Sequence, residues 1–257
     1  MKGKAAQAIK AIQSFLRVAG NIFKPALIII LVIAAALLFL RTPMFLISDI
    51  EIIGNARLTD EYIKDVMNIR DDTIFFWNAP AAQNRLLANH YVDRVDVTVD
   101  YFSRHVTVRI RERLLSGYVE YVDGLFLYID DRGQVLESVT VITERLPVVV
   151  GLEFSRFTLG EPLPVANPDS FNRLTTLAQL FNQYQVGEDI IKVDVSKPDD
   201  IRIYVRDIDV EFGDINGADQ KVRMMRIILS EHLNDPDQRG TLNIRDPNRP
   251  PAFRPMQ

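Results

Sequence analysis

The side chains that most often carry out chemistry are few and scattered among the 257 residues of this chain. There is no cysteine, so disulfides, thiolate metal sites, a catalytic thiol and a lipoprotein anchor are all excluded. The three histidines, His90, His105 and His232, fall in different predicted elements and lack the i, i+4 spacing of a metal-binding helix. We interpret them as surface or structural histidines.

Serine, glycine and aspartate patterns offer no better candidate for an active site. Ser116 and Ser155 lack the Gly-x-Ser-x-Gly setting of an activated nucleophile. The stretch 213–217 has no lysine and follows a predicted strand, unlike a phosphate-binding loop. Pairs of Asp fall at predicted turns, where Asp hydrogen-bonds the backbone, at 71–72, 130–131 and 199–200. The sequence therefore predicts no catalytic residue, no cofactor and no metal, and a protein that is not an enzyme.

Charge is divided unevenly along the chain. Residues 1–24 contain five basic residues and no Asp or Glu, whereas the whole chain has 30 basic and 34 acidic residues. The acidic remainder argues against a nucleic-acid partner, because phosphates require a basic surface. A basic head that precedes an apolar run is typical of a membrane protein with a cytoplasmic N-terminus.

The apolar run covers residues 25–40 without a charge, and it is extended by Ile22 and Phe23 before Lys24 and by residues 42–47 after Arg41. It has no polar stripe, which favours lipid over a buried core helix as its surroundings. A cleaved signal peptide is the main alternative, but Ala34-x-Ala36 lies inside the run and the basic region is long for a signal. The sequence predicts a transmembrane helix over 25–44, with the acidic part outside the cell membrane.

The predicted cytoplasmic tail, residues 1–24, has apolar residues at helical spacing between residues 5 and 19. Two interpretations stay open for this stretch. It is either a helix that lies on the anionic inner leaflet or a basic tail that only sets the topology.

A small β-α-α-β-β unit is predicted after the membrane segment, over residues 45–113. Its first helix has Thr59 as a plausible N-cap, with Asp60 and Glu61 in the first turn, where the helix dipole favours acidic side chains. A second helix is predicted over residues 79–90. Two alternating strands then form a hairpin with a four-residue loop, 101–104, in a register that pairs polar with polar residues, such as Asp96 with Arg109.

A second region, residues 114–246, has the pattern of a mixed α+β domain. Strands are predicted at 118–122, 125–129, 134–136 and 146–152, and then in a meander at 190–195, 201–205 and 210–212. Two amphipathic helices are predicted at 170–184 and 217–233. The last predicted strand covers 241–245, and the proline- and arginine-rich residues 247–257 are predicted to form a flexible tail.

Several stretches, in order, resemble the FtsQ/DivIB type of bacterial cell-division protein. Those that resemble its POTRA domain are Ile50-x-Ile52-x-Gly54-Asn55-x-Arg57-Leu58-Thr59, Asn89-x-Tyr91-Val92-x-x-Val95-x-Val97 and Val106-x-Val108-x-Ile110-x-Glu112-Arg113. Those that resemble its β domain are Tyr128-Ile129-Asp130-x-x-Gly133-x-Val135-Leu136, Leu146-Pro147-x-Val149-x-Gly151-Leu152 and Gly240-Thr241-Leu242-Asn243-Ile244-Arg245. The chain departs from the family at the hairpin loop, which has Phe102-Ser103 in place of a proline, and at Leu114, where proline is common.

The resemblance implies an α+β fold made of a single N-terminal transmembrane helix, a POTRA domain and a mixed domain with a meander sheet. It also implies a non-enzymatic scaffold of the divisome at the division septum. Such a scaffold is anchored in the cytoplasmic membrane and binds FtsB-like and FtsL-like partners. Through them it controls septal peptidoglycan synthases. The alternative is a POTRA-bearing extracytoplasmic chaperone or assembly factor for secreted or membrane proteins.

A strand at the edge of a sheet offers a partner strand its unpaired backbone groups. The predicted edge is the last strand, with an aromatic anchor beyond it. The predicted partner-binding residues are Thr241, Leu242, Asn243, Ile244, Arg245 and Phe253. The POTRA hairpin is a second candidate docking face.

Overall fold

The computed structural model describes residues 25–69, 72–122, 124–233, 235 and 238–256. The predicted tail over 1–24, and the interfacial helix considered within it, lie outside these residues. The chain divides into two compact units. The first joins Met1–Ala88 with Arg94–Arg111, and the second joins Asn89–Asp93 with Glu112–Gln257.

In the described part of the first unit, residues 25–40 form an apolar helix, α1. A short 3-10 turn, Pro43–Phe45, follows it. The large apolar side chains of α1 are exposed from Leu27 to Phe39. Among the residues that the structure describes, no helix is both long and apolar enough to cross a membrane. The anchor over 25–44 therefore stays a prediction.

The rest of the first unit has the predicted β-α-α-β-β order. Its elements are β1 (Asp49–Ile53), α2 (Asp60–Met67), α3 (Ala79–Leu87), β2 (Val92–Asp100) and β3 (His105–Glu112). The strand order is β1-β3-β2, with β1 parallel to β3. Strand β3 is therefore central, and Val106 and Val108 on it are completely buried.

Local signals explain most of these boundaries. Thr59 caps α2 as predicted, since its hydroxyl accepts a hydrogen bond from the Tyr62 N–H at 3.2 Å. The second helix ends at Leu87, three residues before its predicted end at 90. The four-residue hairpin loop, 101–104, is confirmed. Gly54 has φ +90°, and a Cβ there would lie 2.3 Å from the Ile110 carbonyl oxygen, so the turn after β1 requires glycine.

The second unit is built on one nine-stranded sheet. Its strands are β4 (Leu115–Glu120), β5 (Phe126–Asp130), β6 (Val135–Val139), β7 (Val148–Val150), β8 (Ile190–Asp194), β9 (Ile201–Val205), β10 (Ile208–Gly213), β11 (Gly240–Asn243) and β12 (Ala252–Pro255). The order is β12-β11-β10-β9-β8-β7-β4-β5-β6. The predicted meander is present as antiparallel β8, β9 and β10, and a second meander is formed by β4, β5 and β6.

The two meanders are joined by the three-residue strand β7, which runs parallel to β4 on one side and to β8 on the other. Helices α4 (Pro168–Tyr184) and α5 (Ala218–Glu231) contribute their apolar stripes to the same core as the sheet. Alternate residues of the central strands face this core, which is why Ile201 and Ile203 are buried while Arg202 between them is not. The core is therefore one layer between the sheet and the helices.

The end of the sheet differs from the prediction. Strand β11 is paired with β10 on one side and with β12 on the other, so the prediction that 241–245 forms the edge is wrong. The edge strand β12 lies inside 247–257, where a flexible tail was predicted. Pro250 and Pro251 suggest a tail, but proline is tolerated where an edge strand begins, because its missing N–H then costs no ladder hydrogen bond.

Candidate partner-binding edge

Three of the predicted partner-binding residues belong to the core. Leu242 and Ile244 are 1% and 2% exposed, and Phe253 is half-buried against the same cluster. The Phe253 ring covers Gly240, where an added Cβ would come within 2.7 Å of it. These side chains pack β11 and β12 against the core of the sheet.

Two further predicted residues, Asn243 and Arg245, take part in a polar network on the opposite face. The Asn243 amide donates to Glu211 Oε2 at 2.8 Å. The Arg245 guanidinium donates to the carboxylate of Asp200, and its Nε lies 3.5 Å from Glu211 Oε2. Both side chains are therefore bonded within the chain.

Arg202 extends this network to β9 and β10. Its Nη1 lies 2.8 Å from Asp209 Oδ2, and its Nε lies 3.5 Å from Asp200 Oδ1. Partial burial opposes the ionised form of Asp200, but the hydrogen bond from Arg245 and the charge of Arg202 outweigh it and lower the pKa of Asp200. The network fastens neighbouring strands on the outer face of the sheet.

The outer edge of β12, at one end of the nine-stranded sheet, is open to pairing with a partner strand. The Met256 N–H donates to the Arg239 carbonyl at 3.0 Å, which marks that pair as hydrogen-bonded. Such pairs alternate in an antiparallel ladder, so the register makes Arg254 with Thr241 the next one. The backbone groups of Phe253 and Pro255 therefore point away from β11.

This edge is rich in acceptors and poor in donors. Prolines at 251 and 255 have no N–H, so Phe253 supplies the only N–H that faces outward within Pro251–Pro255. Their carbonyl oxygens still face outward. Natural sheets use short edge strands and proline to prevent uncontrolled pairing. The edge can accept a strand, but with few positions at which that strand is held.

Accessible side chains flank the edge. Ala252, Arg254 and Met256 are exposed, and half-buried Thr241 lies opposite Arg254 in the ladder. Of the predicted set, Thr241 is the residue that is accessible and belongs to neither the core nor the polar network. The sequence signal for the true edge is the short alternation Ala252-Phe253-Arg254 between two prolines, which the tail-like composition obscures.

Residues with catalytic potential occupy separate places. His105 Nδ1 lies 3.0 Å from Asp49 Oδ2, His90 lies against Gly160, and His232 ends α5. Among the described residues, no group of three or more His, Asp or Glu side chains is arranged to hold a metal.

Asp130, the first residue of the pair 130–131, bonds to the backbone of the turn after β5. Its carboxylate accepts hydrogen bonds from the backbone N–H groups of Arg132 and Gln134, at 2.9 and 2.8 Å, which confirms a role in a turn. Burial raises its pKa, although these bonds and the nearby charge of Arg113 act in the opposite direction.

The hairpin of the first unit stays a candidate docking face. One position on its β2 strand is already covered, because the Gln83 amide donates to the Val95 carbonyl at 2.7 Å. A side chain that occupies a strand's carbonyl reduces what an added strand can bind.

Comparisons with known proteins agree with this architecture. Residues 45–113 match the family model described as "POTRA domain, FtsQ-type". The chain is 24% identical over 229 residues to the cell division protein DivIB of Clostridium tetani, which covers 88% of this chain and 85% of that protein. It is 27% identical over 221 residues to the DivIB proteins of two Clostridium botulinum strains, which covers 85% of each chain.

A POTRA domain of the FtsQ type joined to a second, sheet-based unit is the class of architecture that the structure and the family model define. Along most of its length the chain is similar to DivIB cell division proteins, which agrees with the resemblance of its motifs.

Proposed function

We propose that this protein is a non-enzymatic scaffold of the divisome that binds FtsB-like and FtsL-like proteins and, through them, controls septal peptidoglycan synthases. The observation that carries the proposal is the accessible edge strand β12 at the end of the nine-stranded sheet. A partner strand can accept the outward Phe253 N–H and donate to the outward carbonyl groups. The DivIB relatives support a role in division.

The proposal includes a membrane anchor over residues 25–44. Apolar side chains are exposed around helix α1, as expected for a helix that lipid surrounds. The basic residues in 1–24 favour a cytoplasmic N-terminus, which leaves the chain from residue 45 onward on the outer side of the membrane at the septum.

Site-specific photo-crosslinking in dividing cells tests the docking edge. A photoreactive amino acid replaces Arg254 on β12, and a control protein carries it at Val141, an exposed residue of the same unit outside β12. We expect adducts with short single-span division proteins from position 254 and none from position 141.

Other outcomes separate the alternatives. Adducts from Val141 and not from Arg254 would move the docking surface away from β12. A broad set of secreted or membrane clients would favour the assembly-chaperone alternative. If neither position captures a division protein, the scaffold proposal fails.

A further inference from the structure

An unbroken series of aromatic contacts leads from the end of helix α1 to the tip of the hairpin in the first unit. The ring of Phe39 lies 5.3 Å from that of Phe45, and Phe45 lies 5.4 Å from Phe75. Phe75 stacks on Tyr101 at 5.7 Å. We call Phe39, Phe45, Phe75, Phe76, Tyr101 and Phe102 the aromatic end of the unit.

Much of this surface is exposed although it is apolar. Phe102, at the tip of the hairpin, is fully exposed, and Phe75, Phe76 and Tyr101 are each more than 40% exposed. Met44, beside them in the chain, is also exposed. Contiguous exposed apolar patches indicate a binding surface, because single exposed residues are common and clusters are not.

Hydrogen bonds hold the three segments of the aromatic end together. The Ile74 N–H donates to the Phe45 carbonyl at 2.9 Å, which fastens the loop after α2 to the segment after α1. The Arg104 guanidinium donates to the Met44 carbonyl at 2.7 Å, and the Ser48 N–H donates to the Arg104 carbonyl at 3.0 Å. The hairpin tip is therefore held beside the end of α1.

The charges around this surface match a membrane interface. Arg41 lies over the ring of Phe76, 5.1 Å from its centroid, and Arg104 is bonded to the Met44 carbonyl. Amphipathic aromatic rings are enriched at the level of lipid headgroups, and an arginine near the end of a span can extend its charged group to that level while its stem stays against apolar surface. The aromatic end continues directly from the exposed apolar surface of α1.

We propose that the aromatic end is a lipid-contacting surface that enters the headgroup region of the bilayer in which the proposed anchor, residues 25–44, is embedded, with Phe102 as its outermost contact on the hairpin. The inference rests on the proposed membrane anchor. It gives the POTRA unit a fixed height and tilt at the membrane, since α1 and the hairpin tip would be held by the same bilayer.

Single-cysteine spin labelling tests the proposal in the full chain, which has no native cysteine to remove. Nitroxides are attached to Phe102→Cys and to Arg94→Cys, and the proteins are reconstituted in phosphatidylethanolamine–phosphatidylglycerol vesicles. Arg94 is exposed at the opposite end of the hairpin, and the strand from Arg94 to Asp100 spans about 20 Å at about 3.3 Å per residue. Collision with oxygen, which concentrates in lipid, is compared with collision with a water-soluble nickel chelate.

We expect severalfold more oxygen than nickel collision at position 102, and the reverse at position 94. A label on Val32→Cys, inside α1, reports separately on the anchor. A label on Met44→Cys reports on the same surface with Phe102 intact. It therefore tests the proposal even if Phe102→Cys changes the conformation of the hairpin loop.

The outcomes distinguish the two proposals. If position 32 is in lipid while positions 102 and 44 are in water, the lipid-contacting surface is wrong and the anchor stands. If position 32 is also in water, the anchor itself fails, and this inference fails with it. Labels at 102 and 44 that are shielded from both oxygen and nickel would indicate a protein neighbour, which also overturns the proposal.

Discussion

The outward N–H of Phe253 is the single donor that β12 offers a partner between its two prolines. Phe253→Pro and Phe253→Ala both remove the ring from the core, but only proline also removes the donor. We expect crosslinking from position 254 to fall about fivefold further in the proline variant, as about 1 kcal/mol for one hydrogen bond implies. Adduct yield per folded protein, checked by circular dichroism, is the measurement. Equal yields would mean that the partner does not use this backbone group.

Lys221 on α5 is completely buried and carries a charge. Its Nζ donates to the carbonyl and to Oδ1 of Asp214, each at 2.9 Å, and lies 5.1 Å from the centre of the Phe212 ring. We expect Lys221→Met to lower the free energy of unfolding by about 2 kcal/mol, a value reduced from that of fully buried pairs because Asp214 is 42% exposed. Urea denaturation measures it, and Arg226→Met, at an exposed site of the same helix, is the control.

The same pair makes a prediction about pH. The hydrogen bond from Lys221 lowers the pKa of Asp214 below its ordinary value of 3.8. A lowered pKa in the folded state stabilises the protein above the ordinary pKa, and this contribution is lost as the pH falls through the folded-state value. The difference between the wild type and Lys221→Met should therefore be constant near neutral pH and shrink below about pH 4. A difference that does not change in acid would show that packing, not charge, dominates.

At the scale of elements, the pairing of β11 with β12 depends on Gly240. A Cβ there would lie 2.4 Å from the Arg254 carbonyl oxygen and 2.7 Å from the Phe253 ring. We expect Gly240→Ala to displace β12 and to cost about 2 kcal/mol, as overpacking does. Faster hydrogen exchange at the Thr241 and Arg254 amides would show the displacement. In Gly187→Ala, the control, the new Cβ meets nothing within 4 Å, and we expect no such change.

Elements that depend on local signals are predictable from this sequence, and those that depend on distant pairing are not. The cap at Thr59, the hairpin loop 101–104 and the β8–β10 meander follow from capping, turn and alternation rules. The position of β11 does not, because it runs parallel to β10 after a crossover through α5. Nothing within residues 240–245 indicates that a further strand, β12, pairs with the side of β11 that faces away from β10.

The partner-binding edge was predicted on β11 and not on β12 because its position also depends on contacts between residues distant in the chain. Burial of Leu242 and Ile244 agrees with the alternation of a strand, but the engagement of Arg245 with Asp200 joins residues 45 positions apart. The strand that carries the edge has four residues, preceded by Pro250 and Pro251 and ending in Pro255. Proline weakens any strand prediction, even where the strand borders solvent.

For the whole molecule, the proposed anchor makes a testable statement about localisation. Ile30→Asp with Val32→Asp should shift the protein from membranes to the soluble fraction, since each Asp near the centre of a span costs about 3 kcal/mol. The matched control is Leu114→Asp with Val141→Asp, at exposed apolar residues of the second unit. Retention after an alkaline carbonate wash is the measurement. Equal retention of both double variants would argue against an anchor in 25–44.

Strand β7 also has a mechanical meaning. It is three residues long, yet it joins the two meanders of the second unit, and it pairs with β4 at only two registered positions. If the proposed scaffold role holds, the protein carries tension as the envelope constricts. The sheet should then yield first between β4 and β7, where few backbone hydrogen bonds resist separation. Optical-tweezer extension should show an early yield that Val149→Pro shifts to lower force. A single rupture at unchanged force would contradict this. An early yield would mean that β7 limits the force on the rest of the sheet. Excess load would separate the two meanders at β7, while the strands within each meander stay paired.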